Sequence, residues 1–340
     1  MTLAEVVLVV MWLGVTAYAV FAGADFGAGF WDLVAGGARR GLEQRRLIEH
    51  SIGPVWEANH VWLIFALVIF WTAFPTAFAA VTSTLYLPLT AAAIGIILRG
   101  AAFAFRKAVT PIEVKRVFGA TFALSSVLTP FFLGAVAGAV ASGRVPPGVA
   151  QGGVVSSWWN PTSVLGGTLA VLICAYLAAV FLAADAARDG EAGLARHFRG
   201  RALTAAVVTG PVSLAGIAVL RSDAPELFDG LTGRALPLVA GSALFGLVAL
   251  WLVWTERFAA ARLASALAVA TVVWGWAAGQ YPFLLQGELT IDDAAAPRSA
   301  LLFLLVVLVG GSALVLPALA WLVFSFSRGQ GAGAAGGGRH

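Results

Sequence analysis

Hydrophobic positions in this 340-residue chain gather into nine runs, at 4–37, 52–74, 79–98, 117–141, 163–184, 202–220, 235–254, 263–285 and 300–326. Each run approaches or exceeds the roughly 20 apolar residues that cross a ~30 Å hydrocarbon layer at ~1.5 Å rise per residue. Lipid offers the backbone no hydrogen-bond partners, so each run is predicted to be a helix. The polar segments between runs are mostly short, which predicts antiparallel neighbours. The fold class expected is therefore an all-α polytopic membrane protein with nine transmembrane helices. A large soluble all-helical protein is the competing class. A composition of 60% hydrophobic and 11% charged residues argues against it.

Basic residues sort these loops by side. Alternate loops and the C-terminal tail hold seventeen of the 21 Lys and Arg, including Arg39, Arg40, Arg45, Arg46, Arg106, Lys107, Lys115, Arg116, Arg188, Arg196, Arg199 and Arg201. The other side holds Arg144, Arg221, Arg234 and Arg298. Positive loops stay cytoplasmic, so the N-terminus is expected outside and the C-terminus inside. The net charge of +4 then reports loop orientation and carries no nucleic-acid signal. The first run starts almost at Met1 without a basic leader or a small-residue cleavage site, so it is expected to be a retained helix. One cysteine, Cys174, lies inside an apolar run and excludes an intrachain disulfide.

Three external segments are longer. SGRVPPGVAQGGVVSSWWNP separates runs four and five, and RSDAPELFDGLTGR and QGELTIDDAAAPR are acidic. The first divides the chain into a four-helix bundle at 1–141, an external connection at 142–162 and a second four-helix bundle at 163–285. An external loop and peripheral ninth helix follow at 286–326, then a disordered Gly-rich tail at 327–340. Trp158 and Trp159 are placed where amphipathic rings favour the membrane interface. Glycine spacings such as GADFG at 23–27 and GAVAG at 134–138 allow close helix approach.

Ionisable groups inside apolar runs are functional candidates. Asp25 and Asp32 lie in run one, and Glu57 and His60 in run two, with Asn59 beside them. Measured from Leu42 in the hairpin, Asp25, Glu57 and His60 fall at similar depth, and Glu57 and His60 share a helix face. A carboxyl removed from water holds its proton nearer neutrality, so this group reads as a proton path or ion site with Glu57 buried. It reads equally as a hydrogen-bond network that fixes packing. Asp32 is expected at the cytoplasmic interface. Arg99, at the end of run three, is expected to snorkel to the inner headgroups. The four histidines are His50, His60, His197 and His340, and His60 alone lies well inside a run. No haem ligated by this chain alone is therefore expected, and no metal, nucleotide or nucleophile motif is legible.

GADFGAGFWDL at 23–33 and RRLIEHSIGPVWEANHVWLI at 45–64 closely resemble the opening of subunit II of cytochrome bd-type quinol oxidases. The resemblance continues through FPTAFA at 74–79, LRGAAFAFR at 98–106, NPTSVLGG at 160–167, YPFLL at 281–285 and LTIDDAAAPRSAL at 289–301. It implies a prokaryotic cell-membrane terminal oxidase that oxidises quinol and reduces dioxygen to water with cytoplasmic protons. By that resemblance, low-spin and high-spin haems and the quinol-oxidising loop belong to a partner, subunit I. The present chain is then a non-catalytic scaffold that pairs with subunit I, with room for a small accessory subunit and a structural quinone. The resemblance places Glu57 at an acidic position linked to proton entry and Asp25 at an acidic position of the first-run motif. It marks His60 as a position that is not always histidine, and leaves Asn59 and Arg99 as structural polar candidates. The alternative reading is a proton-coupled secondary transporter using Asp25, Glu57 and His60, although Pro130, Pro211 and Pro317 form no evident pair of broken helices.

Overall fold

The computed structural model describes residues 1–36, 41–53, 56–109 and 112–335. Arg39, Arg40, Pro54, Val55, Arg339 and His340 lie outside the described residues. The first half comprises α1 (Leu3–Leu33), α2 (Leu42–Ile52), α3 (Trp56–Ala73), α4 (Pro75–Thr84), α5 (Tyr86–Ala108) and α6 (Ile112–Ala141). The second comprises α7 (Pro161–Arg188), α8 (Ala192–Asp223), α9 (Pro225–Thr232), α10 (Leu236–Trp254) and α11 (Phe258–Gln280). A hairpin of β1 (Phe283–Leu285) and β2 (Leu289–Thr290), then α12 (Ile291–Ala294) and α13 (Arg298–Ala335), complete the chain.

Among the described residues, eight helices are long and apolar enough to cross a membrane: α1, α3, α5, α6, α7, α8, α10 and α11. The ninth predicted run falls in α13, whose helix covers the whole of 300–326. α13 continues to Ala335, into the segment expected to be disordered, and residues 336–340 lie outside the described residues. The third run, predicted as one helix over 79–98, is broken at Leu85 between α4 and α5. Pro88 explains the break: its ring nitrogen cannot donate to the carbonyl of Thr84, so a continuous helix loses that bond. The eighth run stops as helix at Gln280, and its last residues form β1.

Local chemistry sets the helix starts. Thr2 caps α1 through a reciprocal pair, its hydroxyl accepting from Glu5 N while Glu5 accepts from Thr2 N. Asn160 caps α7 by accepting from Ser163 N, with Pro161 in the first turn where its missing N–H costs nothing.

Packing follows one plan in each half. α1 lies against α3 and α6, and α6 against α5; α7 lies against α8 and α11, and α11 against α10. α1 and α7 also touch each other, as do α6 and α7. These contacts are close because they are made by glycine. A Cβ on Gly27 would collide with the Cys174 carbonyl of α7, and Gly134 and Gly166 face each other's carbonyls across α6 and α7. At one end Asp223 fastens three helix termini. It accepts from Arg144 at 3.1 and 2.5 Å, and from the Thr162 N–H and hydroxyl at 3.0 and 2.6 Å. α13 lies against α1 and α3.

Candidate functional site

The polar residues of α1, α3 and α5 converge on Asp25. This carboxyl is 5% exposed. Asn59 of α3 donates from Nδ2 to Asp25 Oδ2 and to the Phe21 carbonyl, both at 3.4 Å. Arg99 of α5 places Nη2 at 3.3 Å from Asp25 Oδ1 and donates to the Asp25 carbonyl at 3.1 Å. Its Nε donates to Ser126 Oγ at 3.0 Å, and that hydroxyl donates onward to the Phe122 carbonyl at 2.7 Å. The rings of Phe26 and Phe122 each lie 5.0 Å from the guanidinium carbon. The cation is thus held by a carboxylate, a hydroxyl, a carbonyl and two aromatic faces, which together replace its hydration.

The snorkelling expected for Arg99 is overturned. The side chain is 1% exposed and points to the protein interior. The apolar run ends at Leu98, but α5 continues to Ala108, so Arg99 sits nine residues inside the helix end. From there an ion pair with Asp25 is available on the adjacent helix. Asp32 stands one residue from the end of α1 and is 5% exposed. It accepts from Arg45 Nε at 2.7 Å and from Arg106 Nη1 at 2.5 Å, while Arg106 Nε lies 3.2 Å from Glu49. This network fastens α2 and α5 to the end of α1.

His60 is half-buried, its ring 6.1 Å from Tyr18 and 6.0 Å from Phe26. His60 Nδ1 and the Tyr18 hydroxyl are both out of solvent without a hydrogen-bond partner among the described residues. Glu57 is a correction. The sequence reading has it buried with Asp25 and His60, but it is exposed in the first turn of α3. Glu57 is two positions before buried Asn59, and on a 3.6-residue helix that turns its side chain away from Asp25. Along the exposed side of α3 follow Val61, Ile64, Val68 and Trp71. The structure thus joins Asp25, Asn59 and Arg99 directly, sets His60 beside them across Phe26, and leaves Glu57 on the surface of this chain.

Sequence reasoning missed Ser126 and Tyr18. A serine or tyrosine in an apolar run is too common to single out. It also missed the pairing of Arg99, for which an arginine and an aspartate in neighbouring runs were the available signal. No group of three or more His, Cys, Asp or Glu side chains suited to a metal ion occurs among the described residues.

The model of one protein family, cytochrome bd terminal oxidase subunit II, matches residues 3–326. The chain is 33% identical over 153 residues to cytochrome bd ubiquinol oxidase subunit 2 of Bacillus subtilis, covering 45% of this chain and 44% of that one. It is 28% identical over 177 residues to cytochrome bd-I ubiquinol oxidase subunit 2 of Escherichia coli K12, covering 49% and 46%. Each alignment therefore takes in less than half of the relative's length. A solved structure of bd oxidase from Geobacillus thermodenitrificans superposes with a TM-score of 0.73 at 29% identity, covering 96% of this chain and 99% of that chain. With a family match that spans all eight membrane-length helices and the whole Asp25–Arg99 cluster, the chain belongs to the cytochrome bd terminal oxidase subunit II family.

Proposed function

We propose that this chain is the subunit II of a cytochrome bd-type quinol oxidase in a prokaryotic cell membrane, supporting quinol oxidation coupled to reduction of dioxygen to water. The observation that carries the reading is the family match across 3–326, together with a fold that superposes on nearly all of a bd oxidase chain. In this reading the chain ligates no haem and scaffolds a haem-bearing subunit I. Its helices form two four-helix bundles, α1–α6 and α7–α11, with α13 peripheral, the N-terminus outside and the C-terminus inside. The comparisons favour this over a proton-coupled transporter.

The proton-path role is read as follows. Glu57, exposed on an otherwise apolar helix face, is covered by subunit I in the complex and passes protons inward at that junction. Asp25 and His60 lie behind it, with Asn59 and Arg99 fixing the Asp25 carboxyl. An exposed carboxylate amid Val61, Ile64 and Trp71 suits a protein partner better than lipid, because lipid leaves the charge unsolvated.

Purification from native membrane through a tag on this chain tests the assignment. The expected result is co-elution with a haem-bearing partner and quinol-driven oxygen uptake. A chain that elutes alone, or with a partner that neither absorbs in the Soret region nor consumes oxygen, would overturn it.

A further inference from the structure

Three polar atoms are buried around the Asp25 site without a hydrogen-bond partner among the described residues: the Tyr18 hydroxyl, His60 Nδ1 and Asp25 Oδ1. Tyr18 and Asp25 stand seven positions apart on α1, which puts them on one helix face. His60 meets that face from α3, its ring 6.1 Å from Tyr18 and 6.0 Å from Phe26. Asn59, the residue before His60, donates to the other oxygen of Asp25. Asp25 Oδ1 lies 3.3 Å from Arg99 Nη2 in ion-pair contact but accepts no hydrogen bond.

The charges here select what can satisfy all three atoms. Arg99 already supplies a positive charge, so a second cation meets repulsion, and Asp25 repels an anion. A small neutral group that both donates and accepts is required. An ordered water does this with two to four polar partners. One water links polar atoms about 5.5 Å apart, through two bonds of ~2.8 Å. The spacing of the Tyr18 and His60 rings is compatible with that span.

We propose that ordered water joins Tyr18, His60 Nδ1 and Asp25 Oδ1, and that Tyr18 is the positioning residue that orients it for proton exchange with His60. The Tyr18 hydroxyl donates to the water. Asp25, pinned by Asn59 and Arg99, accepts one hydrogen from it. The remaining hydrogen then points to His60 Nδ1. An extra proton arriving from the cytoplasmic side moves through the water onto Nδ1, and the imidazolium releases a different proton from Nε2. No electron moves, and a flip of the ring restores the starting tautomer. His60 is half-buried and shares a face of α3 with Glu57 one turn away, so the released proton leaves toward that carboxyl. The charges acting on His60 are those of Arg99 and Asp25. Of the other elements packed on α3, α4 has no titratable group and α13 has Arg298 and Arg328, near its two ends. The proton step rests on the oxidase reading; the water does not.

The test is a cryo-electron microscopy map of the assembled complex, at a resolution that shows buried water, with oxygen uptake per haem measured across pH. Density within hydrogen-bond distance of Tyr18 Oη, His60 Nδ1 and Asp25 Oδ1 is expected in the unaltered complex. Its absence there, with other buried waters visible, overturns the proposal whether or not any variant folds. Tyr18→Phe keeps the ring and removes the donor. It is expected to assemble with normal haem content, lose the density and slow oxygen uptake several-fold, most at alkaline pH where free protons are scarce. An unchanged rate and pH profile, or a loss that only tracks falling haem content, overturns the role of Tyr18. His60→Gln keeps a hydrogen-bonding group but cannot titrate, so it should retain the density and lower the rate; an unchanged rate overturns exchange with His60. Failure of the oxidase reading is distinct: the unaltered complex then takes up no oxygen with quinol, and the density still decides the water.

Discussion

Burial of the Arg99 guanidinium beside Asp25 makes each group depend on the other. Removing one member of a buried pair leaves a charge without solvent or partner, at a cost of about 3–5 kcal/mol. Arg99→Met alone, or Asp25→Asn alone, is therefore expected to lower the thermal midpoint and the yield of folded chain sharply. The double variant removes both charges and should recover much of the loss; a double variant no better than the worse single would show that the pair does not act as a unit. Glu57 has a different test, because nothing in this chain needs it for packing. Glu57→Gln is expected to assemble normally while quinol-driven oxygen uptake per haem slows, most at alkaline pH where free protons are scarce. An unchanged rate and pH profile would remove Glu57 from the proton path. The candidate residues were legible as polar types inside apolar runs, but their partners were not. A hairpin ruler gives depth along a helix; it does not give the direction in which a side chain points. That is why Asn59 met Asp25 at the expected level while Glu57, two residues away, faced outward.

Helices in this molecule meet through glycine backbones, since lipid supplies no hydrophobic drive for helix association. Gly27 faces the Cys174 carbonyl, and Gly134 faces Gly166. Any side chain at Gly27 must push α1 from α7, and overpacking typically costs about 1–3 kcal/mol or more. Gly27→Leu is expected to reduce assembled complex and activity together, whereas Gly246→Leu, where nothing lies within 4 Å of an added Cβ, should be tolerated. Equal yields from the two would mean that close approach at Gly27 contributes little. Helix identity followed from the runs, because length and apolarity are properties of one segment. Helix ends did not follow as well. Hydropathy passes smoothly over the Leu85 break and over Gln280, where a proline or the start of a hairpin ends the hydrogen-bond ladder. It also stops early at Leu98, where α5 keeps its backbone bonds through charged residues that are paired across helices.

At the scale of the whole molecule, the charge asymmetry and the buried networks bear on the same question of orientation. The side rich in arginine carries Arg45, Arg106, Arg188 and Arg262, which gather on Asp32 and Asp185 at the ends of α1 and α7. Those pairs hold some of the cations in place but leave Arg46, Arg196 and Arg257 without an ion pair among the described residues, so the excess of positive charge on that side survives folding. The opposite end carries Asp223 with Arg144, and acidic Glu226, Asp292 and Asp293 near the hairpin. Cytoplasmic retention of basic loops predicts the Arg-rich end inside. Single cysteines at Gly190, in the turn between α7 and α8, and at Arg328 are expected to resist a membrane-impermeant thiol reagent in intact cells and to react after permeabilisation. A cysteine at Val149, in the connection between α6 and α7, is expected to react in intact cells. Gly190 and Val149 lie at opposite ends of α7, so they must report opposite sides whatever the orientation. Arg328 adds the decisive information, because it reports whether α13 crosses. Labelling of Arg328→Cys in intact cells, with Gly190→Cys protected, would leave eight crossings and put the C-terminus outside; protection of both fixes nine.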